Sequence, residues 1–390
     1  GRLFTQGLNR IITQDAYNGT ILWTAEIPAL QRYNMPRDCG NWCADGDFLY
    51  TAVLNHAWRW DAASGNLTAV YEVPPPPEEE HGAYEWGYIA RAGDYLYGSA
   101  VRSGNFYTNF WGGSDEAWAD ATSGPVTYKV CSDNLFAVNP GDGRLIWQYS
   151  QGVIINSTIT IAEGRVFFVE CRHPAVKASS SRQVGLSELW LNQYLVALDA
   201  ETGRLEWERP VDTEDGIVVF YLLHSHDTLL IASSKTNYHL YGFSAKDGAP
   251  LWHASHAWIS DNHGQHMQHP AVAGDTVYLR PCGYKVKNGT LVTKAMPPHE
   301  GGCATFAATP GALVYRGKQG SISMWDVKTG DVTNWFSIRP ACWLSTIPAG
   351  GMVLSPEGGG GCSCGGWLET SISFIRTKGD TQINRPEKGG

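Results

Sequence analysis

Short apolar stretches bounded by Gly, Asp or Asn recur along the whole chain, and they fall into two repeating blocks. One block is D-x-x-x-G followed by an apolar stretch that ends in an aromatic residue. It reads DAYNGTILW at 15–23, NPGDGRLIW at 139–147, DAETGRLEW at 199–207 and SAKDGAPLW at 244–252, with looser copies at 61–71, 285–291 and 326–336. This is hairpin chemistry: Asp or Asn caps the turn through its side chain, Gly takes the positive φ of a tight turn, and the apolar stretch is the next strand. The other block is a glycine followed by an apolar pair, as in GDFLY (46–50), GDYLY (93–97), GRVFF (164–168), GDTVY (274–278) and GALVY (311–315). Weaker copies begin at Gly1 and Gly351, and a copy without glycine covers 226–231.

Each pair of blocks predicts a meander of four short strands. Eight pairs averaging roughly 45 residues match the length of a propeller blade. The fold expected is therefore all-β: an eight-bladed β-propeller of four-stranded antiparallel blades, with seven blades as the alternative. A single propeller domain over 1–376 is expected, closed by the two ends of the chain and followed by a disordered tail at 377–390. Insertions at 99–132 and 171–193 break the repeat, the second with a short helix near 184–192, and insertions of this kind often carry binding residues.

Composition narrows the function. The chain has 390 residues, 38 acidic against 29 basic, and a net charge of −9, so it lacks the basic surface that nucleic acid requires. No apolar run is long enough to span a bilayer. The 44 glycines and 16 tryptophans fit turns and blade contacts better than helices. Nine cysteines leave at least one outside any intramolecular disulfide, and the C-x-x-C spacing of a zinc ribbon is absent. An extracytoplasmic location, periplasmic or secreted, is the reading adopted, with any targeting segment lying outside this sequence.

The ALDAETGRLEW run at 197–207, preceded by Leu195 and Val196, closely resembles the repeat of pyrroloquinoline-quinone-like (PQQ-like) propellers, and the resemblance covers nearly the whole chain. It implies the propeller fold and tryptophans packed between neighbouring blades. It implies chemistry only weakly, because many such propellers bind no quinone. The dehydrogenases of this class carry a vicinal cysteine pair over the cofactor. Here only Cys362-Ser363-Cys364 comes near it, which counts against quinone binding.

The repeat also serves as a ruler for the innermost strands. Eight residues before the block glycine stand Asp38, Glu85, Asn156, His266, Cys303 and Trp343, with Cys39 and Cys342 one residue away. Equivalent positions form a ring around a propeller axis, which places a ligand or substrate site in a central funnel. Asp38, Glu85, Asn156 and Trp343 are the cofactor-binding candidates. Cys39, His266, Cys303 and Cys342 are the metal candidates, for calcium, zinc or copper, and such an ion is favoured over the quinone. Three functions stay open. The first is a binding propeller taking a small-molecule or carbohydrate ligand in the funnel or a protein partner on the insertion loops. The second is a quinoprotein-like dehydrogenase using PQQ and calcium, in which Glu85 and Asn156 hold the calcium. The third is a polysaccharide lyase or other carbohydrate-active enzyme. There His266 or His269 is the base and Tyr284 the acid, while Arg280 or Arg339 neutralises a uronate carboxylate.

Overall fold

The computed structural model describes residues 1–7, 9–30, 41–77, 82–105, 129–216, 219–257, 269–298, 306–336, 338, 346–355 and 372–375. Within them the chain is a succession of antiparallel meanders. The first blade consists of strands Trp42–Ala44, Phe48–Val53, His56–Asp61 and Leu67–Glu72. The second contains Tyr84–Ala92, Tyr95–Arg102, Asn134–Val138 and Leu145–Tyr149. The fourth, fifth and sixth follow the same order, from Phe220–Ser225 to Pro250–Ala257, from Ala271–Ala273 to Leu291–Thr293, and from Ala307–Ala308 to Val332–Trp335.

The third blade is larger. Thr160–Ala162, Arg165–Cys171, Gln193–Asp199 and Leu205–Val211 form its meander, and Val153–Ile155, Lys129–Ser132 and Gln183–Val184 extend the sheet to seven strands. The N-terminal sheet (Arg2–Gly7, Arg10–Asp15, Ile21–Glu26) and the C-terminal sheet (Ile347–Ala349, Met352–Ser355, Ile372–Ile375) have three strands each. The expected blade number is thereby corrected. Six sheets carry the four-strand complement of a blade, so the molecule is a six-bladed propeller rather than an eight- or seven-bladed one. A sequence block marks a hairpin turn, and a turn does not guarantee a fourth strand beside it.

The hairpin reading holds at atomic level. Asp61 Oδ1 accepts the Ala63 and Ser64 N–H groups at 3.1 and 2.7 Å, and the turn glycine Gly65 has φ +74°. The aromatic residue that ends a block then docks on the turn glycine of the following sheet. Trp147 covers Gly203 so closely that a Cβ there would sit 2.6 Å from the ring, and its indole N–H donates to the Ala200 carbonyl at 2.9 Å. Trp23 meets Gly65 and the Ala62 carbonyl in the same way, and Trp252 meets Gly289 and the Val286 carbonyl.

The core is divided among the seams between sheets. Phe168, Val196 and Leu198 of the third blade pack on Leu135 and Trp147 of the second, and Phe167 and Leu195 pack on Leu229 and Ile231 of the fourth. Leu3 and Ala16 of the N-terminal sheet meet Met352 and Leu354 of the C-terminal sheet, so the two ends of the chain are joined.

The helix expected near 184–192 is a single 3-10 turn, Ser187–Trp190, and the α-helix of this insertion lies earlier, at Pro174–Ala178. Pro174 occupies its first position and His173 caps it, Nδ1 accepting the Ala175 N–H at 3.3 Å. Residues 106–128 of the other insertion and the tail at 377–390 lie outside the described residues.

Candidate functional site

In a four-stranded meander, the start of the first and third strands and the end of the second and fourth lie at one end of the blade. Glu85, Asn156, His269 and Arg280 belong to this end, whereas Tyr284, paired with Val277, lies further along its blade. Glu85 lies near the start of a first strand and Asn156 in the 3-10 turn Asn156–Thr158 that interrupts the innermost strand of the third blade. His269 precedes Ala271–Ala273, Arg280 follows Thr276–Leu279, and Tyr284 lies in Cys282–Lys285. Asp38, Cys39, His266, Cys303, Arg339, Cys342 and Trp343 lie outside the described residues.

Asn156 is buried at 2 % exposure and both ends of its amide are engaged. The Ser132 hydroxyl donates to its Oδ1 at 2.6 Å and meets the Ser99 hydroxyl at 2.8 Å. Its Nδ2 donates to the Gly87 carbonyl at 3.2 Å. Gly87 is required here, because a Cβ would come within 2.7 Å of that Nδ2 and 2.2 Å of Val101. Asn156 therefore clamps the second blade to the third, and nothing in this geometry presents its amide oxygen to an ion.

Glu85 has a different setting. It is half-buried, and its Oε1 accepts the Gly104 N–H at 3.3 Å. Burial pushes its carboxyl above the ordinary glutamate range, and the Gly104 and Ser103 hydrogen bonds only partly offset this. A cavity of about 450 Å³ opens beside it between the first two blades, lined by Leu54, Asn55, Val73, Pro75 and Tyr84. The calcium-holding pair of the quinoprotein reading is thus a half-buried carboxyl that accepts a loop N–H and an amide engaged at both ends.

The fourth and fifth blades bring three further candidates into one neighbourhood. His269 stacks on Tyr221 with ring centroids 3.9 Å apart. Tyr284 hydroxyl lies 2.9 Å from His256 Nδ1, and His256 Nε2 lies 3.3 Å from the Arg280 carbonyl. A carbonyl only accepts, so Nε2 carries the proton and Nδ1 receives the Tyr284 O–H. Burial holds the His256 imidazole below the ordinary histidine range and pushes the Tyr284 phenol up. Both groups are therefore neutral near pH 7. His256 escaped the sequence reading because the ruler measured only innermost strands, and His256 ends an outermost one. The signal available was its odd spacing from His253 in HASHA, which turns the two rings to opposite faces of the strand.

A buried ion triad anchors the 171–193 insertion to the second blade. Asp133 accepts from Arg102 Nε at 2.7 Å and from Arg182 Nε at 2.6 Å. Arg182 also donates to the carbonyls of Val176, Lys177 and Ser179 at the end of the short helix. On the third blade, Arg172 Nε meets Glu170 Oε1 at 2.7 Å while its two Nη atoms hold Glu208. Cys43, Cys171 and Cys282 are thiols outside any disulfide. Among the described residues, no three His, Cys, Asp or Glu side chains converge on one point and no helix is long and apolar enough to cross a membrane.

Comparison with known proteins agrees with this architecture. The chain is similar over 95% of its length to BamB from Moraxella catarrhalis, at 11% identity, with a TM-score of 0.54 and 95% of that chain covered. It is also similar to a quinohemoprotein alcohol dehydrogenase from Pseudomonas putida, at 11% identity and a TM-score of 0.53, covering 91% of this chain and 68% of that one. At such identity these likenesses establish the fold alone. No protein of curated function matches the sequence. A family profile described as outer membrane protein assembly factor BamB matches residues 134–355, more than half of the sequence. The turn chemistry, the Trp-on-Gly seams and this match lead to one conclusion: the chain belongs to the BamB-type family of PQQ-like repeat propellers.

Proposed function

We propose that this chain is an extracytoplasmic binding propeller, which engages a partner protein or ligand at the end of the blades where the first strands begin. The observation that carries this reading is the engagement of Asn156. With both amide ends bonded across the second and third blades, the quinone–calcium reading loses one of its two ligands. The cavity beside Glu85 remains at the same end, with a carboxylate on its wall. The BamB description of the family supports a protein as the partner and an extracytoplasmic setting.

Two measurements test it. Titration with PQQ and calcium is expected to leave the quinone absorbance and the melting temperature unchanged. A photo-crosslinking residue at Asn55, on the cavity wall, is expected to give a discrete adduct that is lost in a Glu85→Lys background. The same residue at Lys246, in a turn at the opposite end, is expected to give none. Saturable quinone binding, or equal adducts from both positions, overturns the proposal.

A second reading, as a carbohydrate-active enzyme, has one observation in its favour: the Tyr284–His256 hydrogen bond beside Arg280. Tyr284 is only 5 % exposed, so a polysaccharide does not reach its hydroxyl without rearrangement, and the binding reading is preferred. New ultraviolet absorbance from unsaturated uronate on incubation with acidic polysaccharides, abolished by Tyr284→Phe, would reverse that preference.

A further inference from the structure

On the opposite face of the strand that carries His256, the fourth blade holds a second histidine arrangement. His239, on strand Asn237–Ser244, and His253, on strand Pro250–Ala257, sit diagonally across adjacent antiparallel strands, because Tyr241 pairs with His253 and His239 with Ser255. His239 Nδ1 lies 3.2 Å from His253 Nε2, with the ring planes 3° apart. Tyr241 backs the pair, its ring 4.4 Å from that of His253. His253 is exposed and His239 half-buried. His253 and Tyr241 line an open groove of about 720 Å³ between the third and fourth blades, whose lining also includes Arg209 and Asp212.

We propose that His239 and His253 form a two-imidazole clip for a late first-row divalent metal ion, with water completing the coordination shell. Two features support it. First, two imidazole nitrogens bound to one metal at about 2.0–2.1 Å stand roughly 2.9–3.4 Å apart at tetrahedral or square-planar angles, and the observed separation falls in that range. Second, Glu214 stands beside this site, its backbone N–H donating to the Tyr241 hydroxyl at 2.9 Å. Its carboxylate and that of Asp212 favour a cation, Arg209 opposes it, and Asp215 is already paired with Lys235 at 2.7 Å. Imidazole donors select copper, nickel and zinc over calcium or magnesium, with copper(II) bound most tightly.

The test uses the full chain after dialysis against a chelator, titrated by calorimetry with Cu²⁺, Ni²⁺ or Zn²⁺, each metal alone. One equivalent is expected to bind, in the order Cu²⁺ tighter than Zn²⁺, with Ca²⁺ giving no heat. His239→Ala and His253→Ala are each expected to weaken this event by at least about tenfold, the loss that follows removal of even an outer-shell partner. His256→Gln, on the other face of the strand, is expected to leave it intact. Copper(II) electron paramagnetic resonance should show two equivalent nitrogen couplings in the wild type and one in either variant. Wild-type affinity in both alanine variants, which melting curves would show to be folded, overturns the clip. So does a loss caused by only one of them.

Discussion

Asn156 shows how a single polar side chain changes meaning once its neighbours are known. Its position, equivalent to that of Glu85 in the preceding blade, marked it as a ligand, yet Ser132 and the Gly87 carbonyl consume it. Those partners lie 24 and 69 residues away from it, which no local pattern reveals. Replacing it with alanine strands a buried hydroxyl and a buried carbonyl, and should lower unfolding free energy by about 1–3 kcal/mol in urea denaturation without altering partner capture at Asn55. A change below a few tenths of a kcal/mol would return Asn156 to the list of ligands. Glu170 carries a pH signature of its own. It is fully buried, and burial pushes its carboxyl above the ordinary glutamate range despite hydrogen bonds from Arg172 and Tyr149. A raised folded-state value means that the folded protein keeps this proton to higher pH than the unfolded chain. Its favourable contribution is therefore complete below the ordinary glutamate range and disappears as pH rises through the raised value. Glu170→Gln lacks that contribution, so the stability advantage of wild type over the variant should shrink as pH rises above the ordinary glutamate range, about 4. An advantage that grows with pH would show that Arg172 dominates the carboxylate.

At the scale of the element, the repeated turn explains why so much of the fold was legible. Asp, Gly and the closing aromatic residue are each demanded by local geometry: a side-chain cap, a positive φ and a flat surface for the next sheet. The glycine does two jobs, and they separate experimentally. Gly19 has φ +75° with nothing within 4 Å of a prospective Cβ, whereas Gly203 has φ +69° and Trp147 at 2.6 Å. Gly19→Ala should cost only the left-handed strain, about 1–2 kcal/mol. Gly203→Ala should add about 1–3 kcal/mol of overpacking against the indole and should also red-shift tryptophan emission as Trp147 is displaced. Equal costs would mean that the seam yields without resistance. The elements that the sequence pattern missed lack this local demand. The insertion helix Pro174–Ala178 is a single turn and a half held from outside by Arg182 and Asp133. Strand Lys129–Ser132 leaves the second blade's segment to pair with Val153–Ile155 of the third. His256 and Tyr284 are 28 residues apart and meet only because consecutive blades pack face to face.

For the whole molecule, the decisive contact is the one between its ends. Each blade hairpin is a local construction, but Leu3 and Ala16 meet Met352 and Leu354 only if every intervening sheet adds the right rotation. The meeting of the ends was expected from the repeat, whereas the number of complete blades was not recoverable from it, because the sheets flanking the seam have three strands each among the described residues. The cluster that joins these sheets is small, with Ala16, Met352 and Leu354 buried and Leu3 packed against them, so the seam should be the region that opens first, well below the global unfolding free energy. Leu354, 6 % exposed, is the side chain to remove. Leu354→Ala should cost about 2–5 kcal/mol if its cavity does not collapse, and the cost should appear locally. Hydrogen exchange is expected to accelerate together in Met352–Ser355 and in Arg10–Asp15, whose Ile11 is fully buried in the adjoining cluster. Strand Thr228–Ser234, buried throughout in the fourth blade, should keep its protection. Acceleration confined to the C-terminal sheet would mean that the two ends lie side by side without supporting each other. Uniform acceleration in all three strands would mean that the ring opens only as one cooperative unit.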